Sequence, residues 1–245
     1  MQIVTLSVFR FEGFSHRAWA FGQMAAARRP LARLPGLDFF KLFGTGSDDG
    51  FNPTPNLGVY AILGAWRSAA AAEEAHAHAP VLDRYRAHAA EHLTLRLRAT
   101  RCWGEWSGGA PFDVSDRDAE PEPVAILTRA SVKPRHALAF WRRVPGIRDS
   151  LSTGALSGGV RPLFQIGMGE RPWINQVTFS VWRDYAHAKA FAYGDGPHRA
   201  AIRQVRARDW FNEELYARFE VLSAEGHWNG RSPLADRAHS GDRPR

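Results

Sequence analysis

The sequence predicts an α+β fold: two ferredoxin-like β-α-β-β-α-β halves forming a pseudo-dimeric α+β barrel. Two observations predict it. The order of strand-like and helix-like runs in residues 1–104 recurs in residues 124–230. Each antiparallel sheet built this way carries helices on one face only, so its other apolar face needs a second sheet as cover.

The elements pair off in order. "IVTLSVFRF" and "VAILTRASV" open the halves as strands and lead into the helical stretches "SHRAWAFGQMAAAR" and "KPRHALAFWRRV". "FFKLFGTG" and "LFQIGMG" are apolar runs that both close on Gly-x-Gly. "GVYAILGAWRS" matches "NQVTFSVWRD", each a strand ending in Trp-Arg, with Ser68 or Asp184 as the N-cap of an Ala-rich helix. "LTLRLRAT" pairs with "LYARFEVL", where alternation puts Leu215, Ala217, Phe219 and Val221 on one face. Between the halves, residues 105–123 are rich in Pro, Gly and acidic side chains and read as a linker; residues 231–245 read as a disordered tail.

A chain of 245 residues, 44% hydrophobic and 23% charged, buries enough surface to need no disulfide or structural metal. The single cysteine, Cys102, excludes a disulfide framework, a Cys-rich zinc site and a Cys-ligated iron–sulfur cluster, and fits a reducing cytoplasm. No signal-peptide pattern and no membrane-spanning run is found. The net charge of +7 favours acidic partners. A nucleic-acid partner is not expected, because no recognition helix, RNP strand or zinc finger accompanies the charge.

Several motifs carry competing readings. Gly44/Gly46 and Gly167/Gly169 lack the third glycine and following helix of a dinucleotide loop, and read as turn glycines. "HAAEH", residues 88–92, has the H-x-x-E-H form of a zinc motif, but scattered surface histidines on an Ala-rich helix explain it as well. A P450-type thiolate at Cys102 fails on chain size. Trp19, Trp66, Trp141 and Trp182, four of nine tryptophans, fall at repeat-related positions and read as core anchors. Asn175 and Gln176 open a buried strand, where they either cap a loop or place amides beside a ligand. His198 follows Pro197 on a helix face with Ala201, Ile202 and Val205, while Arg199, Arg203 and Arg206 take the other side. It is either a hydrogen-bonded core histidine or a ligand with Asp209, Glu213 or Glu214 behind its second ring nitrogen.

The phrases "MQIVTLSVFRF", "KLFGTGSDDGFNPTPNLGVYAILGAW", "QIGMGERPWINQVTFSVW" and "HRAAIRQVRARDWFNEELYARFEVL" resemble the spheroidene monooxygenase family, in order over residues 1–228. The resemblance implies a haem b enzyme that uses O₂ and electrons from a donor such as a ferredoxin. Its reaction introduces a 2-keto group into spheroidene and related acyclic carotenoids. It implies His198 as iron ligand; around a haem held there, Arg199, Arg203, Glu213 and Trp210 are the expected further contacts, and Gln176 and Arg161 the expected distal catalytic groups. A carotenoid substrate and the basic charge together imply peripheral association with the anionic inner or photosynthetic membrane. Two other readings share the fold and the histidine: a barrel haem enzyme of dehydratase or peroxidase type, and a non-catalytic haem-binding barrel.

Overall fold

A computed structural model of the chain describes residues 1–47, 50, 52, 54–115, 121–136, 161–171, 174–193 and 210–235. Its described strands are β1 (Ile3–Arg10), β2 (Leu37–Gly46), β3 (Pro55–Trp66), β4 (Glu91–Gly104), β5 (Val124–Val132), β6 (Phe164–Arg171), β7 (Asn175–Trp182) and β8 (Phe211–Gly226). The described helices are α1 (Phe14–Ala26), α2 (Arg28–Ala32), α3 (Ala69–His78), α4 (Pro80–His88) and α5 (Tyr185–Tyr193). The strands join in the order β1-β3-β2-β6-β7-β5-β8-β4 as a closed barrel, the expected α+β class. The chain divides into two compact units. Unit 1 holds residues 1–42, 57–98 and 221–245; unit 2 holds 43–56 and 99–220.

In unit 1, β1 pairs antiparallel with β3 and β4, setting Ile3 opposite Trp66 and Leu6 opposite both Leu63 and Leu95. Period-2 alternation then sorts the side chains. Ile3, Phe9, Phe11, Tyr60, Ile62 and Trp66 meet Ala20, Leu31, Ala72, Leu82 and Tyr85 of the helices in one apolar layer. The opposite face carries Val4, Leu6, Val8, Leu63, Leu93, Leu95 and Leu97, all at or below 1% exposure, so both faces of this sheet are dry. Ser68 caps α3 as expected, its Oγ accepting from Ala71 N at 3.2 Å. Trp66 Nε1 donates to Thr5 Oγ1 at 2.8 Å, which satisfies the indole inside the layer.

In unit 2 the same register returns. Val124 stands opposite Trp182, and Leu127 opposite Phe179 and Ala217. Leu215, Ala217 and Phe219 are buried on one face together with Ala125 and Leu127, as the alternation of β8 predicts. Trp182 Nε1 donates to Ser180 Oγ at 2.8 Å, and Asp184 caps α5 by accepting from His187 N at 2.8 Å. Trp19 and Trp66 join the unit 1 layer and Trp182 its unit 2 counterpart; Trp141 lies outside the described residues. Within the stretch read as linker, Trp106 and Phe112 are buried in unit 2.

Two motif readings are corrected. The Gly-x-Gly glycines are not turn residues: Gly44 and Gly46 lie in β2, Gly167 and Gly169 in β6, with Gly44 paired to Gly169. A second backbone explains the requirement, because Gly50, at φ +90°, sits so close that a Cβ on Gly167 would fall 2.6 Å from Gly50 O. Nor does "HAAEH" lie on one helix. α4 ends at His88, where Ala89 turns extended, and His92 belongs to β4. His88 stacks on Trp19 at 4.0 Å with its Nδ1 3.1 Å from that of His16, while Glu91 pairs with Arg10 at 3.1 Å. Among the described residues no group of three metal-ligating side chains occurs.

A buried cation breaks the apolar face of unit 2. Arg129 shares that face with Ala125 and Leu127, and its side chain is 4% exposed. Its Nη1 donates to Glu213 Oε2 at 2.6 Å, its Nε lies 3.5 Å from Glu170 Oε1, and its guanidinium lies over Trp106 at 5.3 Å. Trp106 Nε1 donates to the same Glu170 oxygen at 2.8 Å, and Gly108 N to Glu213 Oε1 at 2.9 Å. The cluster thus fastens the 105–109 turn to the sheet. Burial opposes the Glu213 charge, but the amides of Gly108 and Ser107 and the Arg129 guanidinium outweigh it and hold the carboxyl below its usual range.

Removing the cation from this pair of carboxylates should be costly. Arg129→Met is expected to destabilise by about 3 kcal/mol, the low end for a broken buried pair because both glutamates keep some solvent. Chemical denaturation against wild type measures it. A second prediction concerns His76, buried in the unit 1 layer and edge-on to Trp66 at 5.9 Å. Burial, then Arg96 and Arg86, lower its pKa to about 4. The unfolded chain therefore binds a proton that the folded one refuses. Stability is full above about pH 6.5 and falls as pH drops toward 4, by about 3 kcal/mol at that end. His76→Phe should flatten that part of the profile in a melting series across pH.

Candidate functional site

The shared register allows the two units to be compared position by position. Phe9 lies opposite Tyr60 and Ser7 opposite Ile62 and Thr94 in unit 1. At the same places in unit 2, Ala130 lies opposite Gln176 and Thr128 opposite Thr178 and Tyr216. Phe9, Tyr60 and Ile62 are 2%, 4% and 5% exposed and fill the layer between sheet and helices. Their counterparts Ala130, Gln176 and Thr178 are only half-buried, and Thr128, mid-strand, is exposed. Where unit 1 packs two rings and a branched aliphatic, unit 2 presents a methyl, an amide and a hydroxyl. That exchange removes bulk and leaves an accessible floor on the helix-side face of the sheet.

Four strands supply this floor. β6 contributes Gln165, Gly167 and Gly169, facing Ser180, Thr178 and Gln176 of β7. β5 contributes Ile126, Thr128 and Ala130; β8 adds Arg218, Tyr216 and Glu214 opposite them. The Thr128 and Thr178 hydroxyls are hydrogen-bonded to each other across the strands. Gln165 Oε1 is buried and has no hydrogen-bond partner among the described residues. Gln176 Nε2 lies over Gly169, where a Cβ would come within 3.5 Å of it. One end of the floor is closed by an apolar cluster of Val124, Trp182, Ala188 and Phe191, against which Ile126 and Tyr185 pack. Beside it Arg218, 5% exposed, lays its guanidinium 4.3 Å from the Tyr185 ring centre. On the same helix, His187 Nδ1 lies 2.5 Å from Asp184 Oδ2. Burial opposes that charge, yet bonds from the His187 amide and ring keep the Asp184 carboxyl below its usual range.

Of the residues expected from sequence, Gln176 lies on this floor. Glu213 is engaged by Arg129 and the 105–109 turn, with the face parity of Leu215 rather than that of Tyr216. Trp210 is buried, stacked on His136 at 5.6 Å, with its carbonyl accepting from Lys133 N at 2.8 Å. Arg161 is exposed ahead of β6. His198, Arg199 and Arg203 lie outside the described residues. Sequence reasoning missed Thr128, Thr178, Ala130, Gln165 and Arg218. The signal that finds them is the residue-by-residue difference between the two repeats. A flat, half-polar floor with an orphan acceptor and a buried cation at its closed end suits a broad planar or rod-shaped ligand.

Comparison with solved structures supports the architecture. An aldoxime dehydratase shares the fold at a TM-score of 0.59 and 12% identity, over 90% of this chain and 81% of that one. A second aldoxime dehydratase, crystallised with butyraldoxime, matches at 0.58 and 10% identity, over 90% and 79%. A search of family models gives no match. Curated relatives are far nearer in sequence. The chain is 47% identical over 240 residues to the spheroidene monooxygenase of Rhodobacter capsulatus, spanning 97% of both proteins. It is 42% identical to that of Cereibacter sphaeroides, over 96% of this chain and 72% of the relative. To that of Rubrivivax gelatinosus it is 36% identical, over 88% and 80%. Identity of this extent, spread along nearly the whole chain, places it in the spheroidene monooxygenase family.

Proposed function

We propose that this monooxygenase introduces a 2-keto group into spheroidene and related acyclic carotenoids, with O₂, external electrons and haem b. The observation that carries the reading is the 47% identity to a spheroidene monooxygenase over 97% of both chains. The donor is a small redox protein such as a ferredoxin, and the enzyme works from the cytoplasm against the membrane that holds its substrate.

The helix-side floor of unit 2 fits such a group. It is flat, the small residues Thr128, Ala130 and Thr178 leave its β5 and β7 part accessible, and Gln165 offers a buried acceptor without a partner among the described residues. Haem, when bound, supplies the oxygen chemistry that no side chain can. His198 is the proposed iron ligand, and Arg199 and Arg203 the proposed partners of its carboxylates. Gln176, whose Nε2 lies over Gly169 on this floor, would donate a hydrogen bond to a group held there. The Thr128–Thr178 hydroxyl pair offers a proton path, since Thr128 is exposed to solvent and Thr178 lies inward along the same floor. Phe191, Trp182 and Ile126 keep the closed end dry, which strengthens every polar contact beside them.

Expression in cells that accumulate spheroidene tests the reaction: the pigment should gain a carbonyl and turn red only with oxygen. Unchanged pigment with haem fully loaded would point instead to the dehydratase, peroxidase or carrier readings. His198→Ala should lose the axial-ligand spectrum, while His136→Ala and His187→Ala keep it; the reverse pattern moves the ligand. Ala130→Phe restores the unit 1 residue on the floor. It is expected to fold with a melting temperature near wild type but to lose product formation by at least about tenfold, as expected from the cost of overpacking a fitted site.

A further inference from the structure

Helix α1 is apolar on the side that packs and apolar again on the side that does not. Ala20 is buried, and Trp19 and Met24 join the unit 1 layer, so this face is accounted for. The opposite face, read at the helical repeat, is Phe14, Ala18, Phe21, Gly22 and Ala25, all exposed. Phe14 is 89% exposed and Phe21 64%, in positions two turns apart on the same side. An ordinary surface helix puts charge there. The charge has instead moved to the flank: Arg17, Arg28, Arg29 and Arg33 are exposed along α1 and α2, and residues 13–37 contain no Asp or Glu. No described helix is long and apolar enough to cross a membrane.

We propose that the outer face of α1 is a membrane-docking surface that lies in the interface of an anionic bilayer. Phe14 and Phe21 enter the acyl boundary, and the four arginines meet lipid phosphates. The charge chooses this occupant. A second copy of the chain would bring the same arginines, with only Glu12 and an Asp38 already paired to Arg67 flanking them, whereas an anionic headgroup layer complements both the rings and the rim. In purpose the inference rests on the proposed carotenoid substrate, which dissolves in bilayers and not in water; the surface itself stands on α1 and α2.

The test uses the whole purified protein with vesicles of neutral phosphatidylcholine, with and without phosphatidylglycerol. Wild type should cosediment with the anionic vesicles and be released by high salt. Phe14→Ser with Phe21→Ser should weaken binding at least about tenfold, the expected effect of withdrawing two buried rings. Arg28→Gln with Arg29→Gln should weaken it and reduce its salt dependence. Both pairs lie on an exposed surface, and their melting temperature and carotenoid oxidation in detergent should match wild type. Undiminished vesicle binding by the Phe pair overturns the assignment. So does a wild-type dimer that the Phe pair converts to monomer with no change in vesicle binding, which would give the face to a second copy. If the variants lose binding yet wild type oxidises no carotenoid in detergent, docking stands and the substrate reading falls.

Discussion

Everything in this protein depends on one register. Setting Trp66 opposite Ile3, and Trp182 opposite Val124, fixes which alternate residues of each strand meet the helices. A slip of one residue would turn Leu6, Leu63 and Leu95 into the helix layer and Phe9, Tyr60 and Trp66 out of it. The Trp66 indole hydrogen bond to Thr5 helps hold that register in unit 1, since the ring finds this hydroxyl on the neighbouring strand only when the strand ends are aligned.

With the register held in common, the two units spend it differently. Unit 1 places large apolar side chains on the helix-side face and gains a filled layer. Unit 2 keeps its other face apolar, with Phe179, Leu215 and Phe219 buried, but surrenders helix-side packing for hydroxyls, amides and glycines. The layer energy lost there is partly offset at the edge, where Arg129, Glu213, Glu170 and Trp106 tie the turn after β4 to the sheet. A buried cation is a poor general source of stability, but here it also fixes the position of a crossing segment.

Much of the fold was legible because alternation and caps are local signals. The run "VAILTRASV" coincides with β5, Ser68 and Asp184 cap their helices, and the β8 face is the one its spacing predicts. The failures were non-local. A glycine required by a backbone from another segment has the same letter as a turn glycine, so Gly167 could not be read without Gly50. The i, i+4 spacing of "HAAEH" assumes a helix that nothing in Ala89 or Ala90 visibly stops. Arg129 looks like the solvated position of an alternating strand, although it falls on the same side as Ala125 and Leu127. The floor was hidden most completely. Thr128 and Thr178 read as ordinary polar strand positions until Ser7 and Ile62 show what the fold puts there when it needs only to pack.

The contact between Gly50 and Gly167 carries a consequence for how this chain can diverge. It is an approach of main chain to main chain, so no compensating change of side chain elsewhere can relieve a substitution at either position. Gly46 shares that demand, since a Cβ there would fall 1.9 Å from Asn52 O. This approach to β6 should thus be inherited as backbone shape, held by glycine at these points, while the chemistry of side chains around them is rewritten.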